Sequence, residues 1–150
     1  LDRTIELDPG EHVLDAGTGT GVLAVAAALL GAGRVVGFDI DPNAPRAATE
    51  LARNNGVGEV CRFLQGGFEV LGAEISAYDG FVANLYAALR QTQAVGLATH
   101  LRPGGWFLAS GIESRHLGST LSAFDRAGLV VEKKAHSGAW NTLSGRLRHP

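Results

Sequence analysis

The chain has no methionine and only one cysteine, Cys61, in 150 residues. Translation starts with methionine, so the sequence reads as a trimmed piece of a longer protein with something upstream missing. A single cysteine excludes an internal disulfide framework and a cysteine-based zinc site. Its neighbours Val60 and Phe63 point to a core position, and a reducing cytoplasm is the expected location. The longest apolar run, Val22 to Leu30, is nine residues, too short to span a bilayer, so no membrane partner is expected. Leu1-Asp2-Arg3 does not begin a basic-then-apolar signal pattern. The histidines, His12, His100, His116, His136 and His149, are scattered without paired metal spacing, and no metal site is expected. Basic runs stop at Lys133-Lys134, a solvated strand end rather than a nucleic-acid footprint.

What remains describes a globular domain. Hydrophobic residues make up 45% and charged residues 19%, too apolar for disorder. A chain of this length buries roughly 68–70% of its unfolded surface and can carry its own core. Glycine is abundant, 21 residues, about twice the usual share. The glycines follow no period, which excludes collagen and repeat arrays. The net charge of −2 hides an asymmetry: residues 1–75 carry 5 basic and 11 acidic side chains, residues 76–150 carry 8 and 4.

Short apolar strands alternate with helix-like spans. Strands are expected at Val13–Asp15, Arg34–Ile40, Glu59–Leu64, Phe81–Asn84 and Trp106–Ser110, with Leu129–Lys133 and Ala139–Leu147 as a closing hairpin. Helices are expected from about Gly21 to Leu30, from Asp41-Pro42 to Asn54, from about Ala87 to Leu101 and from Ser114 to Ala127. Asp41 can cap its helix and Pro42 suits a first turn. The alternation, with a helical crossover between each of the first six strands, implies parallel connections in a doubly wound α/β sheet. The final pair adds an antiparallel strand near one edge. Ligands of such sheets sit outside the carboxyl ends of the strands. That directs attention to Asp15–Gly21, Asp39–Asp41, Leu64–Phe68, Asn84–Tyr86 and Ser110–Ile112.

The first of these segments is Asp15-Ala16-Gly17-Thr18-Gly19-Thr20-Gly21. Its glycines let the backbone bend and approach a ligand, and the following helix points free N–H groups at the same space. A tight turn with no ligand is the plainer alternative. Asp39, 22 residues after Gly17 at the end of the second strand, can accept hydrogen bonds from two vicinal ribose hydroxyls. Asp41 is assigned to helix capping.

The pair fits a nucleoside ligand. Gly19-Thr20-Gly21-Val22-Leu23-Ala24 also matches a G-x-G-x-x-A dinucleotide fingerprint, which keeps an NAD-dependent dehydrogenase open. Against it stands Asp15. Its carboxylate would repel a pyrophosphate, and no lysine or arginine lies between Glu11 and Gly33 to offset it. S-adenosylmethionine has no phosphate and brings an ammonium that a carboxylate welcomes. Asp15 therefore favours a methyl donor.

The glycine segment resembles the first motif of class I methyltransferases. More narrowly, the chain resembles the catalytic domain of the bacterial methyltransferases of large-subunit ribosomal protein eleven. The matching stretches are Val13 to Ala24, Val36 to Pro42, Val82-Ala83-Asn84-Leu85-Tyr86, Leu101-Arg102-Pro103-Gly104-Gly105, and Ser110-Gly111-Ile112 with Trp140. The first motif is widely shared; Ala-Asn-Leu together with Ser-Gly-Ile is far more selective. The resemblance covers nearly all 150 residues.

The resemblance implies a Rossmann-like class I methyltransferase fold, a mostly parallel seven-stranded sheet with helices on both faces. It implies one donor-binding methyltransferase domain over residues 1–150, without the family's N-terminal substrate-recognition domain. The implied cofactor is S-adenosyl-L-methionine, leaving as S-adenosyl-L-homocysteine. Its contacts fall at Gly17, Thr18, Gly19, Asp39, Ile40 and Asn84, joined by Asp15, with Gly67 and Phe68 meeting the adenine. The implied partner is a large-subunit ribosomal protein, methylated on lysine side chains and its N-terminal amine, with no direct nucleic-acid contact. Substrate binding by this piece alone is expected to be weak. Asn84 is the candidate catalytic residue, its amide carbonyl orienting the incoming amine, with a helix N-cap as the plainer role. Other methyltransferase activities and a catalytically silent donor-binding domain stay open. Trp106 and Trp140 are expected in the core or at its edge.

Overall fold

A computed structural model describes residues 7–73, 75–85 and 88–150. Seven strands occur in the order β3-β2-β1-β4-β5-β7-β6, an α/β fold with a mixed sheet. The chain divides into two compact units, Leu1–Glu74 and Ile75–Pro150.

The first unit holds β1 (His12–Ala16), α1 (Val22–Leu29), β2 (Arg34–Asp39), α2 (Ala44–Asn54), β3 (Cys61–Gln65) and a 3₁₀ turn at Phe68–Leu71. β2 pairs in parallel with both β1 and β3, so Ala16 lies beside Phe38 and Asp39 beside Gln65. The carboxyl ends of all three strands therefore share one edge. Val13, Leu14, Val35 and Val36 are buried, as expected for strands covered on both faces. α1 is short and alanine-rich and buries Ala24, Val25, Ala27 and Ala28. On α2 the buried stripe is Ala44, Ala48 and Ala52, one residue per turn.

The second unit holds β4 (Tyr78–Asn84), α3 (Gln91–His100), β5 (Leu101–Glu113), α4 (Ser114–Ala127), β6 (Leu129–Ser137) and β7 (Trp140–Leu147). β4 and β5 are parallel, and β7 runs antiparallel between β5 and β6. Phe107 stacks on Phe81 with ring centroids 5.5 Å apart and meets Phe124 of α4 edge-on at 5.3 Å. α4 ends at Gly128 in the left-handed conformation, as its sequence indicated. The buried Asn141 amide donates to the Ile112 carbonyl at 3.0 Å and to Ser114 Oγ at 3.1 Å, tying β7 to the β5–α4 junction.

Several expectations are corrected. The crossover between β3 and β4 holds one 3₁₀ turn among its described residues, because Gly66-Gly67 and Gly72 leave only four residues between breakers. α2 starts at Ala44 rather than at Asp41-Pro42. Asp41 Oδ1 instead accepts from the Asn43 N–H at 2.9 Å, an extra turn that delays the helix, and Pro45 takes the first-turn position. α3 begins at Gln91; the expected start at Ala87 and the site segment's Tyr86 lie outside the described residues. Pro103-Gly104-Gly105 does not end in a loop before β5. The strand runs through it, absorbing the surplus residues where Tyr78 pairs with Leu101 but Gly80 with Trp106. Cys61 is half-buried on β3 rather than in the core. Trp106 is buried, but Trp140 is 49% exposed near the hairpin tip.

Candidate functional site

In the first unit, β1 delivers Asp15 at its carboxyl end, and the glycine loop turns from there into α1. Gly17, Gly19 and Gly21 all have positive φ, at 70°, 55° and 86°, a region that side chains with Cβ rarely adopt. A Cβ on Gly17 or Gly19 would meet nothing within 4 Å, whereas one on Gly21 would lie 2.7 Å from the Ala48 Cβ. The first two glycines thus border open space, and the third lets α1 start hard against α2. The loop is pinned by Gly17 N–H and Thr18 N–H, which both donate to the Phe38 carbonyl at 2.9 and 3.0 Å. No side chain caps α1, so its first-turn N–H groups face the loop.

Asp15 is 1% exposed. Its Oδ2 accepts from the Thr18 hydroxyl at 2.7 Å. Its Oδ1 is buried and has no hydrogen-bond partner, the one such side-chain atom among the described residues. Burial raises the carboxyl pKa from 3.8 to about 7, the Thr18 hydroxyl and the Ala24 backbone pull it down, and the charge of Asp39 pushes it up. Burial also raises the Cys61 thiol to about 11, with the Asp15 charge adding to it.

Asp39, at the end of β2, holds the loop to the next turn. Its Oδ2 accepts from the Gly19 N–H and its Oδ1 from the Asp41 N–H, both at 2.9 Å. A carboxylate has about four lone-pair sites, so two bonds leave room for further donors. Ile40 beside it is 77% exposed, a large apolar side chain at the rim. After β3, Gly66 N–H donates to the Asp39 carbonyl at 2.8 Å, and Phe68 sets its ring edge-on to Phe38 at 5.0 Å. Gly67 N–H donates to Glu69 Oε1 at 2.9 Å, and these backbone bonds hold the Glu69 carboxyl below its ordinary pKa.

The structure thus brings Asp15, Gly17, Thr18, Gly19, Asp39, Ile40, Gly67 and Phe68 onto one edge of the first unit. The set fits S-adenosylmethionine. The orphaned Asp15 oxygen suits an ammonium, the two open glycines and the α1 N-terminus suit a carboxylate tail, and Asp39 with Ile40 suits a ribose and an apolar ring. A pyrophosphate would meet Asp15 with no cation in the loop.

In the second unit, Asn84 ends β4 and pairs in register with Ser110 of β5. The plainer capping role for Asn84 fails, because the N-cap of α3 is Arg90, whose N–H donates to Gln93 Oε1 at 2.9 Å. Ser110 Oγ reaches Asn84 Oδ1 at 3.5 Å, and Leu85 N–H donates to the Ser110 carbonyl at 2.7 Å. Sequence reasoning singled out Ser110-Gly111-Ile112 without giving it a task. It missed Gly37, where a Cβ would lie 2.7 Å from Thr18 Oγ1. It also missed Glu69, which braces the second loop. The signal for Gly37 was a glycine inside an apolar strand, a mark of close approach. Among the described residues no cluster of three or more His, Cys, Asp or Glu could hold a metal, and no helix is long and apolar enough to cross a membrane.

A family model described as ribosomal protein L11 methyltransferase (PrmA) matches residues 1–148. The ribosomal protein L11 methyltransferase of Pelotomaculum thermopropionicum is 44% identical over 140 residues, covering 93% of this chain and 45% of that protein. The same protein from Deinococcus radiodurans is 40% identical over 153 residues, covering 94% of this chain and 55% of that protein. The crystal structure of ribosomal protein L11 methylase from Lactobacillus delbrueckii subsp. bulgaricus superposes with a TM-score of 0.85 at 29% identity, over 95% of this chain and 72% of that one. The chain spans about half the length of the curated relatives it matches.

Proposed function

Since the chain belongs to the family of ribosomal protein L11 methyltransferases, we propose that it binds S-adenosylmethionine and transfers methyl groups to amines of a large-subunit ribosomal protein. Residues 1–150 act as one cytoplasmic methyltransferase domain without direct nucleic-acid contacts. The observation that carries this reading is Asp15, a buried carboxylate with one unpartnered oxygen, opening a glycine loop that contains no cation.

The donor, when bound, supplies a methyl already activated on a sulfonium. The protein's work is therefore chiefly alignment of the acceptor nitrogen with the methyl carbon and sulfur. Asp15 favours the ammonium of the donor's methionine end by its charge, directly or through water. Gly17, Thr18 and Gly19 let the backbone approach that end. Asp39 accepts the ribose hydroxyls with the lone pairs that Gly19 and Asp41 leave over. Ile40, Gly67 and Phe68 enclose the adenine. Asn84 orients the acceptor through its amide. A lysine is mostly protonated near neutral pH, with a pKa of ~10.4. Desolvation at the site lowers that value and uncovers the lone pair.

Calorimetric titration tests the reading. S-adenosylmethionine is expected to bind and NAD to show no uptake. NAD uptake with no response to S-adenosylmethionine overturns it in favour of a dehydrogenase. Methyl transfer to ribosomal protein L11, followed by mass spectrometry, tests the acceptor. Donor binding by the natural full-length protein with no methyl transfer would mark a silent binding domain.

A further inference from the structure

We propose that Gly111, with Ser110, is the positioning element that sets the plane of the Asn84 amide; this rests on the reading of Asn84 as the residue that orients the acceptor. Three observations in the second unit converge. β5 carries a register irregularity between Ala109 and Ile112 in its pairing with β7, the mark of a bulge that re-aims a strand. Gly111 lies in it with φ of 71°, left-handed backbone near the carboxyl end of the 13-residue strand β5. A Cβ built on Gly111 would fall on Asn84 Oδ1. The Asn84 carbonyl therefore occupies the space that any other residue at 111 would fill. The residue before it acts on the same group: Ser110 Oγ is 3.5 Å from Asn84 Oδ1, and the Ser110 carbonyl accepts from Leu85 N–H at 2.7 Å.

Asn84 is thus held twice by one dipeptide. Its backbone is fixed by strand register and by the bond just beyond it. Its side chain is fixed by a hydroxyl and by the missing Cβ. The glycine does more than supply a positive φ. Two separate features disfavour a side chain at this position: the left-handed backbone of the bulge and the Asn84 oxygen that fills the space a Cβ would take. An amide that aligns an amine works through direction, and a misplacement near 1 Å costs about 100-fold in rate.

The test is a double-mutant cycle in the natural full-length protein that carries this sequence, with two readouts. The first is methyl transfer to ribosomal protein L11 alongside donor affinity. Gly111→Ala is expected to lower kcat about 100-fold with donor affinity unchanged. Ser110→Ala keeps the backbone and is expected to lower kcat about 5-fold, the loss of one weak hydrogen bond. In an Asn84→Ala background, both substitutions are expected to lower kcat no further, while Gly111→Ala keeps the stability cost of its left-handed backbone. A purely structural role would lower kcat as much there as in the wild type, and that result overturns the proposal. The second readout is the Asn84 side-chain amide signal in a ¹H–¹⁵N spectrum, assigned by its loss in Asn84→Asp. Ser110→Ala and Gly111→Ala should move it, and an unmoved signal in both sinks the inference. Full methyl transfer by Asn84→Ala defeats the reading of Asn84 instead, while the amide signal still decides whether residues 110 and 111 hold it.

Discussion

Asp15 is a carboxylate whose burial is costly, and that cost is visible in pH. Its folded pKa of about 7 exceeds the ordinary 3.8, so the folded state holds a proton that the unfolded state releases. Asp15 therefore contributes most to stability below about pH 4. That contribution is lost as pH rises towards 7, by up to ~1.4 kcal/mol per pH unit, and stays lost above it. Asp15→Asn keeps an acceptor for the Thr18 hydroxyl and removes the charge. Urea unfolding at pH 4.5 and 7.5 should show the variant gaining on the wild type at the higher pH; a pH-independent difference contradicts the assignment. Donor binding runs the other way. Wild-type affinity should rise with pH through about 7, as Asp15 ionises to meet the ammonium, and Asp15→Asn should bind weakly without that rise. Asp39→Ala should weaken donor binding by roughly 1–3 kcal/mol by calorimetry, since it removes charge-assisted acceptors and also unties Gly19. Wild-type affinity in that variant would overturn the ribose role.

At the scale of elements, the glycine loop works because α1 can begin against α2. Gly21 has φ of 86° and faces the Ala48 Cβ, so Gly21→Ala combines strained backbone with overpacking. A loss of about 1–3 kcal/mol is expected in urea unfolding. Elements with strong local signals were legible from the residues alone. α4 was, because Gly128 ends an amphipathic span, and so were β1 and β2, as short buried runs. Boundaries set by competing local bonds were not. Asp41 looks like a cap until its carboxylate is seen to take the Asn43 N–H and postpone the helix. Pro103-Gly104-Gly105 looks like a loop until β4 is seen to tolerate the surplus residues.

At the scale of the molecule, the alternation of strands and helices was enough to read a largely parallel α/β sheet with an antiparallel strand near one edge, and the strand order agrees. The candidate residues of the first unit were legible because they follow directly from strand ends and glycines in the chain. The support behind Asn84 was not, because Ser110 and Gly111 meet it across 26 and 27 positions of sequence and only the register brings them together. Ligand specificity follows the same logic. Saturating NAD should leave the thermal unfolding midpoint unchanged, whereas S-adenosylmethionine should raise it, since only a ligand bound to the folded form stabilises it.

The two tryptophans differ in a way that makes the chain its own reporter. Trp106 is buried and its indole lies over Gly80, while Trp140 stands half in solvent. Acrylamide should quench the emission of Trp140 first and leave a blue-shifted remainder from Trp106. Unfolding should then red-shift that remainder, so fluorescence from one sample distinguishes movement of the β6–β7 hairpin from loss of the core.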